Sequence, residues 1–225
     1  MISIAFDGPA GAGKSSLSRA AAKELGFIYI DTGALYRTLG LKLLRLNIPT
    51  DNIDLVEPIL KDTAVDIKFV DGEQHVFLDG EDVSALIRTP EVSMAASRCS
   101  ALPPVRAFLL EKQRELARNN NVLMDGRDIG TVVLPNATVK IFLTASAEAR
   151  AKRRYLELLE KGQKVEYQDV YDDMVKRDYE DSHRAIAPLK PAEDSVTVDT
   201  TEYNVEESLE LLLKTINERL ESKCI

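Results

Sequence analysis

A glycine-rich segment near the N-terminus has the spacing of a loop that binds phosphate. It consists of Gly8, Pro9, Ala10, Gly11, Ala12, Gly13, Lys14, Ser15 and Ser16, and its first eight residues match G-x-x-x-x-G-K-[ST]. In such a loop the glycines let backbone N–H groups turn inward around an anion, and the N-terminus of the following helix adds partial positive charge. The pattern predicts that Lys14 reaches the β- and γ-phosphates of a nucleotide and that Ser15 binds Mg²⁺.

Charged side chains follow two other apolar segments of the chain. Asp31 and Arg37 come after residues 27–30, and Asp125, Arg127 and Asp128 come after residues 122–124. In an open α/β sheet, side chains that follow parallel strands lie at the same rim as the phosphate loop. Asp125 then has the position of the acidic residue on the Mg²⁺ side of such a fold.

Two arginine clusters occur in the C-terminal half of the chain. Arg177, Asp181 and Arg184 are spaced i, i+4 and i+7, so they share one helix face if the helix continues to Arg184. The second cluster consists of Arg150, Arg153 and Arg154, spaced i, i+3 and i+4. Taken alone, each cluster is typical of surface ion pairs, which stabilise a helix only slightly.

Taken together, the arginines suit an acceptor that is itself a phosphate. The oxygen of such an acceptor is already an anion, so phosphoryl transfer to it needs no general base. Two unit charges about 4 Å apart repel by about 4 kcal/mol at an effective dielectric constant near 20. Guanidinium groups and Mg²⁺ would offset that repulsion and stabilise the charge on the transferring group.

The elements that must position these residues are predicted from apolar runs that alternate with helical patterns. Strands are expected at residues 2–6, 27–30, 122–124, 139–143 and 195–198, and helices at 15–25, 34–46, 104–118, 146–161 and 205–220. The alternation favours an α/β fold with a doubly wound parallel sheet flanked by helices. Residues 65–70 and 75–78, separated by Asp71-Gly72, predict a small antiparallel insert over about residues 60–88.

The composition indicates one globular domain and excludes several classes of protein. With 225 residues, 44% hydrophobic and 29% charged, the chain is neither disordered nor collagen-like. Its 29 basic and 37 acidic residues give a net charge of −8, which argues against a nucleic-acid partner. Because the chain lacks a signal peptide and a long apolar run, and Cys99 and Cys224 form no disulfide framework, we expect a cytoplasmic protein with no membrane partner.

Five segments carry a pattern that is more specific than any single motif. They are DGPAGAGKSS at 7–16, DTGALYR at 31–37, DGEDVSALIRTPEVSMAAS at 79–97, DGRDIGTVV at 125–133 and RDYEDSHRAIAPLKP at 177–191. Their order and spacing resemble bacterial cytidylate kinases, a family of nucleoside monophosphate kinases, over essentially the whole chain. The resemblance implies a P-loop kinase fold in a single domain of residues 1–225, with 60–88 as an NMP-binding subdomain and 146–185 as a short lid and the following helix.

The resemblance also implies substrates and site residues. ATP and Mg²⁺ would bind the loop at residues 8–16, and CMP or dCMP would be the acceptor. Because each proposed site is complete within one chain, we expect a monomer. The acceptor phosphate would meet Arg37 and Arg127 with Arg184 nearby, the ribose would meet Arg177 and Asp181, and the base would meet Ser97, Arg106 and Asp128. Asp31, Thr32 and Tyr36 belong to the same acceptor site. Arg150 would bind ATP from the lid, and the implied catalytic residues are Lys14, Arg127, Arg153, Arg154 and Arg184.

Three functions are compatible with these residues. In a cytidylate kinase, the carboxylate of Asp128 would accept a hydrogen bond from the amino group of cytosine, and Arg106 would donate hydrogen bonds to the acceptor atoms of the ring. A kinase for another small acceptor, if that acceptor is a hydroxyl, would need an acid/base residue, for which Asp31 and Asp128 are candidates. A nucleotide-dependent switch would bind ATP without turning over an acceptor, and the number of arginines disfavours it.

Overall fold

Strands and helices alternate along the chain, which we describe from a computed structural model. In order the elements are β1 (Ser3–Asp7), α1 (Lys14–Leu25), β2 (Ile28–Asp31), α2 (Thr32–Arg45), α3 (Ile53–Lys61), β3 (Val65–Val70), β4 (Glu73–Leu78), β5 (Glu81–Asp82), α4 (Pro90–Cys99), α5 (Pro103–Asn119), β6 (Val122–Gly126), a π-helix (Ile129–Val133), β7 (Val139–Thr144), α6 (Ala147–Glu160), α7 (Tyr167–His183), β8 (Val196–Asp199) and α8 (Val205–Lys223). The structure describes residues 1–70 and 72–223, so Asp71 of the predicted turn and Cys224 lie outside the described residues.

The chain forms two units, and the first comprises Met1–Tyr29 and Asn121–Ile225. Its sheet has the strand order β2-β6-β1-β7-β8, and the pairs β1–β6, β1–β7 and β7–β8 are parallel. Strand residues such as Phe6, Leu123 and Ile141 are buried on the sheet, where they pack with Leu17 of α1 and Leu212 of α8. The predicted parallel sheet flanked by helices is therefore confirmed, and all five predicted strands are present within a few residues of their expected bounds.

The second unit, Ile30–Asn120, contains the antiparallel sheet β3-β4-β5. Asp31 caps α2, because its carboxylate accepts a hydrogen bond from the N–H of Ala34 at 3.0 Å. Leu35 and Leu39 of α2 pack with Val76 of β4 and Leu109 of α5 in one buried cluster. The strands β3 and β4 lie where the sequence predicted an antiparallel pair.

Three features of the helices differ from the sequence predictions. α3 and α4 were not predicted, although Thr89 caps α4 and Pro90 opens it, an arrangement typical of a helix start. α7 ends at His183, and Arg184 has extended backbone angles of φ −62° and ψ 140°. Arg184 therefore lies beyond the helix face that Arg177 and Asp181 share. Among the described residues, no helix is both long and apolar enough to cross a membrane.

Candidate active site

The glycine-rich loop connects β1 to α1, as the sequence pattern predicted. Gly8 has φ +152°, and a Cβ at this position would lie 2.0 Å from the carbonyl oxygen of Leu143. Only glycine therefore fits where the loop leaves β1. α1 begins at Lys14, so the N–H groups of its first turn are directed towards the loop and can bind an anion.

Lys14 is buried at the start of α1 and is held by the loop itself. Its Nζ donates a hydrogen bond to the carbonyl oxygen of Pro9 at 2.7 Å. Burial and the positive charge of Arg127 lower the pKa of Lys14 to about 7, and the carboxylates of Asp125, Asp181 and Asp7 oppose that shift. A polyphosphate arriving at the loop would supply the negative charge that favours the ammonium form.

Ser15 and Asp125 place two oxygen ligands beside the loop. The hydroxyl of Ser15 donates to Asp125 Oδ2 at 2.9 Å, and the hydroxyl of Tyr29 donates to the same oxygen at 3.2 Å. Hydroxyl and carboxylate oxygens are ligands that Mg²⁺ takes, so this pair fits that ion. In the described part of the chain no group of three or more His, Cys, Asp or Glu side chains could hold a metal. Nucleotide phosphates and water are expected to supply further ligands.

Asp7, the last residue of β1, anchors the segment that carries Arg127 and Asp128. Its two carboxylate oxygens accept hydrogen bonds from the N–H groups of Ile129 and Gly130, each at 2.7 Å. Asp7 is buried, and burial is the main reason why its pKa is raised to about 6. The segment from 125 to 130 is thus fixed at one end by Ser15 and Tyr29 and at the other by Asp7.

The raised pKa of Asp7 predicts how stability depends on pH. In the folded chain the carboxyl group of Asp7 stays protonated up to about pH 6, whereas in the unfolded chain it loses its proton near pH 3.8. The stability that the protonated group contributes is therefore lost as pH rises between these values. Relative to Asp7→Asn, we expect the unfolding free energy of the wild type to fall by about 2 kcal/mol from about pH 4 to about pH 7. Urea unfolding of both proteins at several pH values measures this difference, and parallel curves would contradict the assignment.

Two predicted site arginines of the first unit are held by carboxylates. Arg127 Nε donates to Asp181 Oδ2 at 2.8 Å, and Arg184 Nη2 donates to Asp128 Oδ1 at 3.1 Å. Burial would lower the pKa of Arg127, but the carboxylates of Asp181, Asp125 and Asp7 outweigh it and raise the pKa above its ordinary value. Both guanidinium groups are therefore fixed cations that a phosphate could contact in exchange for a carboxylate.

The other arginines of the C-terminal half have different surroundings. Arg153 donates to the carbonyl oxygens of Thr200 and Tyr203, at 2.5 and 3.2 Å, and Arg154 pairs with Glu157 at 2.8 Å. Arg177 is exposed on α7. The contacts described for these arginines do not involve the phosphate loop, so their catalytic and substrate-binding roles stay predictions. Arg150 does reach the loop, where its Nη1 donates to the carbonyl oxygen of Ala10 at 2.9 Å.

The second unit holds the remaining predicted residues. Arg37 Nη2 donates to Asp31 Oδ2 at 2.6 Å, and its buried Nε has no hydrogen-bond partner among the residues that the structure describes. The guanidinium of Arg106 lies 5.7 Å from the ring centre of Tyr36, and its Nη1 donates to the carbonyl oxygen of Ser100 at 3.2 Å. Of the last two predicted residues in this unit, Thr32 is buried at the start of α2 and Ser97 is exposed on α4.

Two residues with structural roles at this site were missed in the sequence. Asp7 entered the sequence predictions only as part of a family motif. Asp178 was not predicted to have a role, although it pairs with Arg150. Asp7 stands next to the glycine-rich loop, and a charged residue ending a buried strand is a usable signal of a polar partner. Asp178 lies 28 residues from Arg150, so no local pattern indicates their contact.

The family model and the relatives of similar sequence agree on one family. The family model described as cytidylate kinase matches residues 4–218. A cytidylate kinase of Caldicellulosiruptor bescii is 56% identical over 214 residues, covering 95% of this chain and 94% of that protein. A cytidylate kinase of Carboxydothermus hydrogenoformans is 49% identical, covering 96% of this chain and 97% of that protein. The crystal structure of an uncharacterized protein from Eubacterium ventriosum has a TM-score of 0.55 at 12% identity, covering 96% of this chain and 99% of that chain, a likeness of fold alone.

Proposed function

The chain belongs to the cytidylate kinase family, and from this membership we propose that it transfers the γ-phosphate of ATP to CMP or dCMP. One observation within the chain carries the proposal beyond a general phosphate loop. Arg127 and Arg184 lie in the same unit as the loop, and each donates a hydrogen bond to a carboxylate, Arg127 to Asp181 and Arg184 to Asp128. Cations held in this way suit an anionic acceptor, which favours the first of the three functions that the sequence allowed.

The reaction is a direct in-line displacement. A phosphate oxygen of CMP attacks the γ-phosphorus of ATP, the bond between that phosphorus and the β,γ-bridging oxygen breaks, and ADP leaves with the electron pair. Lys14 contacts the β- and γ-phosphates, and Arg127 and Arg184 offset the repulsion between the two polyanions. Water must be kept out, because it would otherwise accept the phosphoryl group in place of CMP.

The proposed Mg²⁺ site consists of the hydroxyl of Ser15 with the carboxylate of Asp125 beside it. Their separation of 2.9 Å and the oxygen chemistry of both groups support this assignment. When bound, Mg²⁺ supplies positive charge that neutralises phosphate oxygens. The backbone N–H groups of residues 8–16 orient the same phosphates, and Ser15 thereby acts both in the loop and at the metal.

The acceptor site is proposed from the family resemblance and from the chemistry of cytosine. Asp128 would accept a hydrogen bond from the amino group of cytosine, and Arg106 would donate hydrogen bonds to the acceptor atoms of the ring. Ser97 would be the third residue that contacts the base. Arg177 and Asp181 are proposed for the ribose, and Arg37 with Asp31, Thr32 and Tyr36 for the end that carries the phosphate. The unused Nε of Arg37 supports its role, since a buried N–H gains most from a new anionic acceptor.

Substitution of Asp128 tests the base assignment. Asp128→Ala removes the acceptor for the amino group of cytosine, and uracil has a carbonyl at that position, so we expect kcat/KM for CMP to fall 10- to 100-fold more than for UMP. Asp128 also binds Arg184, so kcat/KM should fall with both nucleotides. The informative quantity is the ratio of kcat/KM for CMP to that for UMP. Steady-state kinetics with both nucleotides measure it, with Asp172→Ala on the exposed part of α7 as the control. Equal losses would mean that Asp128 does not read the base.

The whole proposal is tested by ADP formation from ATP and Mg²⁺ with a panel of acceptors. CMP, dCMP, UMP, AMP, GMP, dTMP and a sample without acceptor are compared. Fast turnover with CMP and dCMP alone supports the proposal. Turnover led by another acceptor would keep the chemistry and reject the base-reading residues. Slow ADP formation that ignores every acceptor would indicate a nucleotide-dependent switch.

We further propose that the enzyme is a cytoplasmic monomer that acts on small molecules rather than on nucleic acid or membranes. One chain supplies every proposed site residue, and the net charge of −8 opposes binding to a polyanion. Residues 60–88 are proposed as the NMP-binding subdomain, and residues 146–185 as the lid with its following helix. Light scattering on the purified chain tests the monomer, and a mass near 50 kDa, twice the 25.0 kDa of one chain, would contradict it.

A further inference from the structure

Arg150 is an arginine of α6 that is firmly held beside the phosphate loop. It lies in the first turns of α6 and is buried. Within the described part of the chain it makes four hydrogen bonds, to Ala145 O at 2.8 Å, Ala10 O at 2.9 Å, Asp178 Oδ1 at 3.0 Å and Asp178 Oδ2 at 2.5 Å. These bonds use four of the five N–H donors of a guanidinium. Little of the side chain is left to contact a nucleotide.

Asp178 of α7 provides two of those four bonds in a bidentate pair. The Asp178 side chain is 27% exposed, whereas that of Arg150 is only 5% exposed. A buried guanidinium depends on such a partner, because an uncompensated buried charge is strongly unfavourable. Asp178 therefore fixes where the guanidinium of Arg150 lies.

Arg150 in turn binds a carbonyl group of the phosphate loop. A loop that presents its N–H groups to phosphate must direct its carbonyls elsewhere, and buried carbonyls need donors. The carbonyl of Pro9 accepts from Lys14 and that of Ala10 accepts from Arg150. Lys14 would have to give up its bond to reach the phosphates, whereas Arg150 is held by Asp178 and by the carbonyl of Ala145.

α7 also contacts the loop one residue further on. Gly11 has φ +72°, and a Cβ there would lie 2.7 Å from Cε of Met174, one turn before Asp178 on α7. Ala10 and Gly11 thus both lie against side chains that α7 positions. The two contacts act on consecutive peptide groups of the loop.

We propose that Arg150 and Asp178 are positioning residues of the phosphate loop, with Asp178 holding Arg150 and Arg150 holding the Ala10 carbonyl. This differs from the sequence prediction that Arg150 binds ATP directly. It rests on the proposed function only in that the loop binds a nucleotide. The acceptor has no part in it, so it can be tested by nucleotide binding alone.

The test is a double-mutant cycle read out by binding of ADP with Mg²⁺. Arg150→Met, Asp178→Asn and the double variant are compared with the wild type by calorimetry, well below their melting temperatures. We expect Asp178→Asn to raise the Kd for ADP roughly tenfold, and the double variant to resemble Arg150→Met because the two residues act as one unit. KM for ATP should rise in parallel. Tyr171→Phe, which removes another link between α7 and α6, to Glu148, is the control and should bind ADP like the wild type.

Each other outcome rejects the inference in a different way. If Arg150→Met binds ADP weakly while Asp178→Asn binds it normally, Arg150 contacts the nucleotide by itself. Lower melting temperatures with an unchanged Kd would mean that the pair is only structural. If the losses in ADP-binding free energy of the two single variants add up in the double variant, the two residues act separately. Failure of the wild type to bind ADP would overturn the proposed function and this inference together.

Discussion

Lys14→Ala is expected to lower the rate of phosphoryl transfer about 10³-fold or more with every acceptor. The ammonium group is buried 2.7 Å from the carbonyl oxygen of Pro9, so it is already at the loop before nucleotide binds. Its charge is proposed to act on the β- and γ-phosphates, where negative charge builds up as ADP departs. Because this charge does not depend on the acceptor, CMP, dCMP and UMP should lose rate by the same factor.

The control for Lys14→Ala is a lysine outside the proposed site. Lys112 of α5 pairs with Asp66 at 2.7 Å on the surface of the other unit, and Lys112→Ala should keep the wild-type rate. Both variants are assayed by ADP formation at saturating ATP and acceptor. If Lys14→Ala keeps more than about a tenth of the wild-type kcat, the loop is not the site of transfer.

Most of the fold was predictable because its signals are local. Buried parallel strands have apolar runs, and the phosphate loop has fixed positions between β1 and α1. α3 was harder to predict because Pro58 lies inside it, and proline usually interrupts a helix. Asn52 starts this helix all the same, since its side chain accepts from the N–H groups of Asp54 and Leu55. The cap, together with the burial of Val56 and Leu60 in the core cluster, stabilises the helix despite the proline.

The contacts of the site were less predictable because they join distant parts of the chain. The sequence suggested the arginines, but it could not show that Arg153 would bind the carbonyl of Thr200, 47 residues away. It also could not show which carboxylate each arginine would meet. Asp7 binds the backbone more than 120 residues further along, at Ile129 and Gly130, and its place at the end of a buried strand signals a polar partner without indicating which one. Such pairs depend on how α6, α7 and the parallel strands pack.

The arginine–carboxylate pairs have a consequence for substrate binding. In the proposed acceptor site, a phosphate that binds Arg127, Arg184 or Arg37 would compete with Asp181, Asp128 or Asp31, respectively. The carboxylates hold the guanidinium groups in place in this structure, so little side-chain ordering would remain to be done on binding of a phosphate. A dianionic phosphate can replace a carboxylate because it carries more charge and more acceptor oxygens.

Arg184→Ala is expected to lower kcat by about 10³-fold while ADP still binds. Arg184 lies just after α7, with Nε bonded to the carbonyl of Ala187 at 2.5 Å and Nη2 bonded to Asp128 at 3.1 Å. The guanidinium of Arg184 is proposed to act on the transferring γ-phosphoryl group, whose charge differs most between the ground state and the transition state. Arg184→Lys should recover only part of the rate, because a lysine cannot form the planar, bidentate contacts of a guanidinium.

Single-turnover transfer and ADP calorimetry together separate catalysis from binding in this variant. Lys190→Ala, an exposed cation of the same segment, should transfer at the wild-type rate. Melting curves are needed as well, because Arg184→Ala removes one partner of the buried Asp128 and is expected to lower stability. A near-normal transfer rate would show that Arg184 is part of a structural ion pair. The protein's positive charge at the transferring phosphate would then come from Lys14 and Arg127, beside the proposed Mg²⁺, since both residues are in the same unit and close enough for their charges to interact.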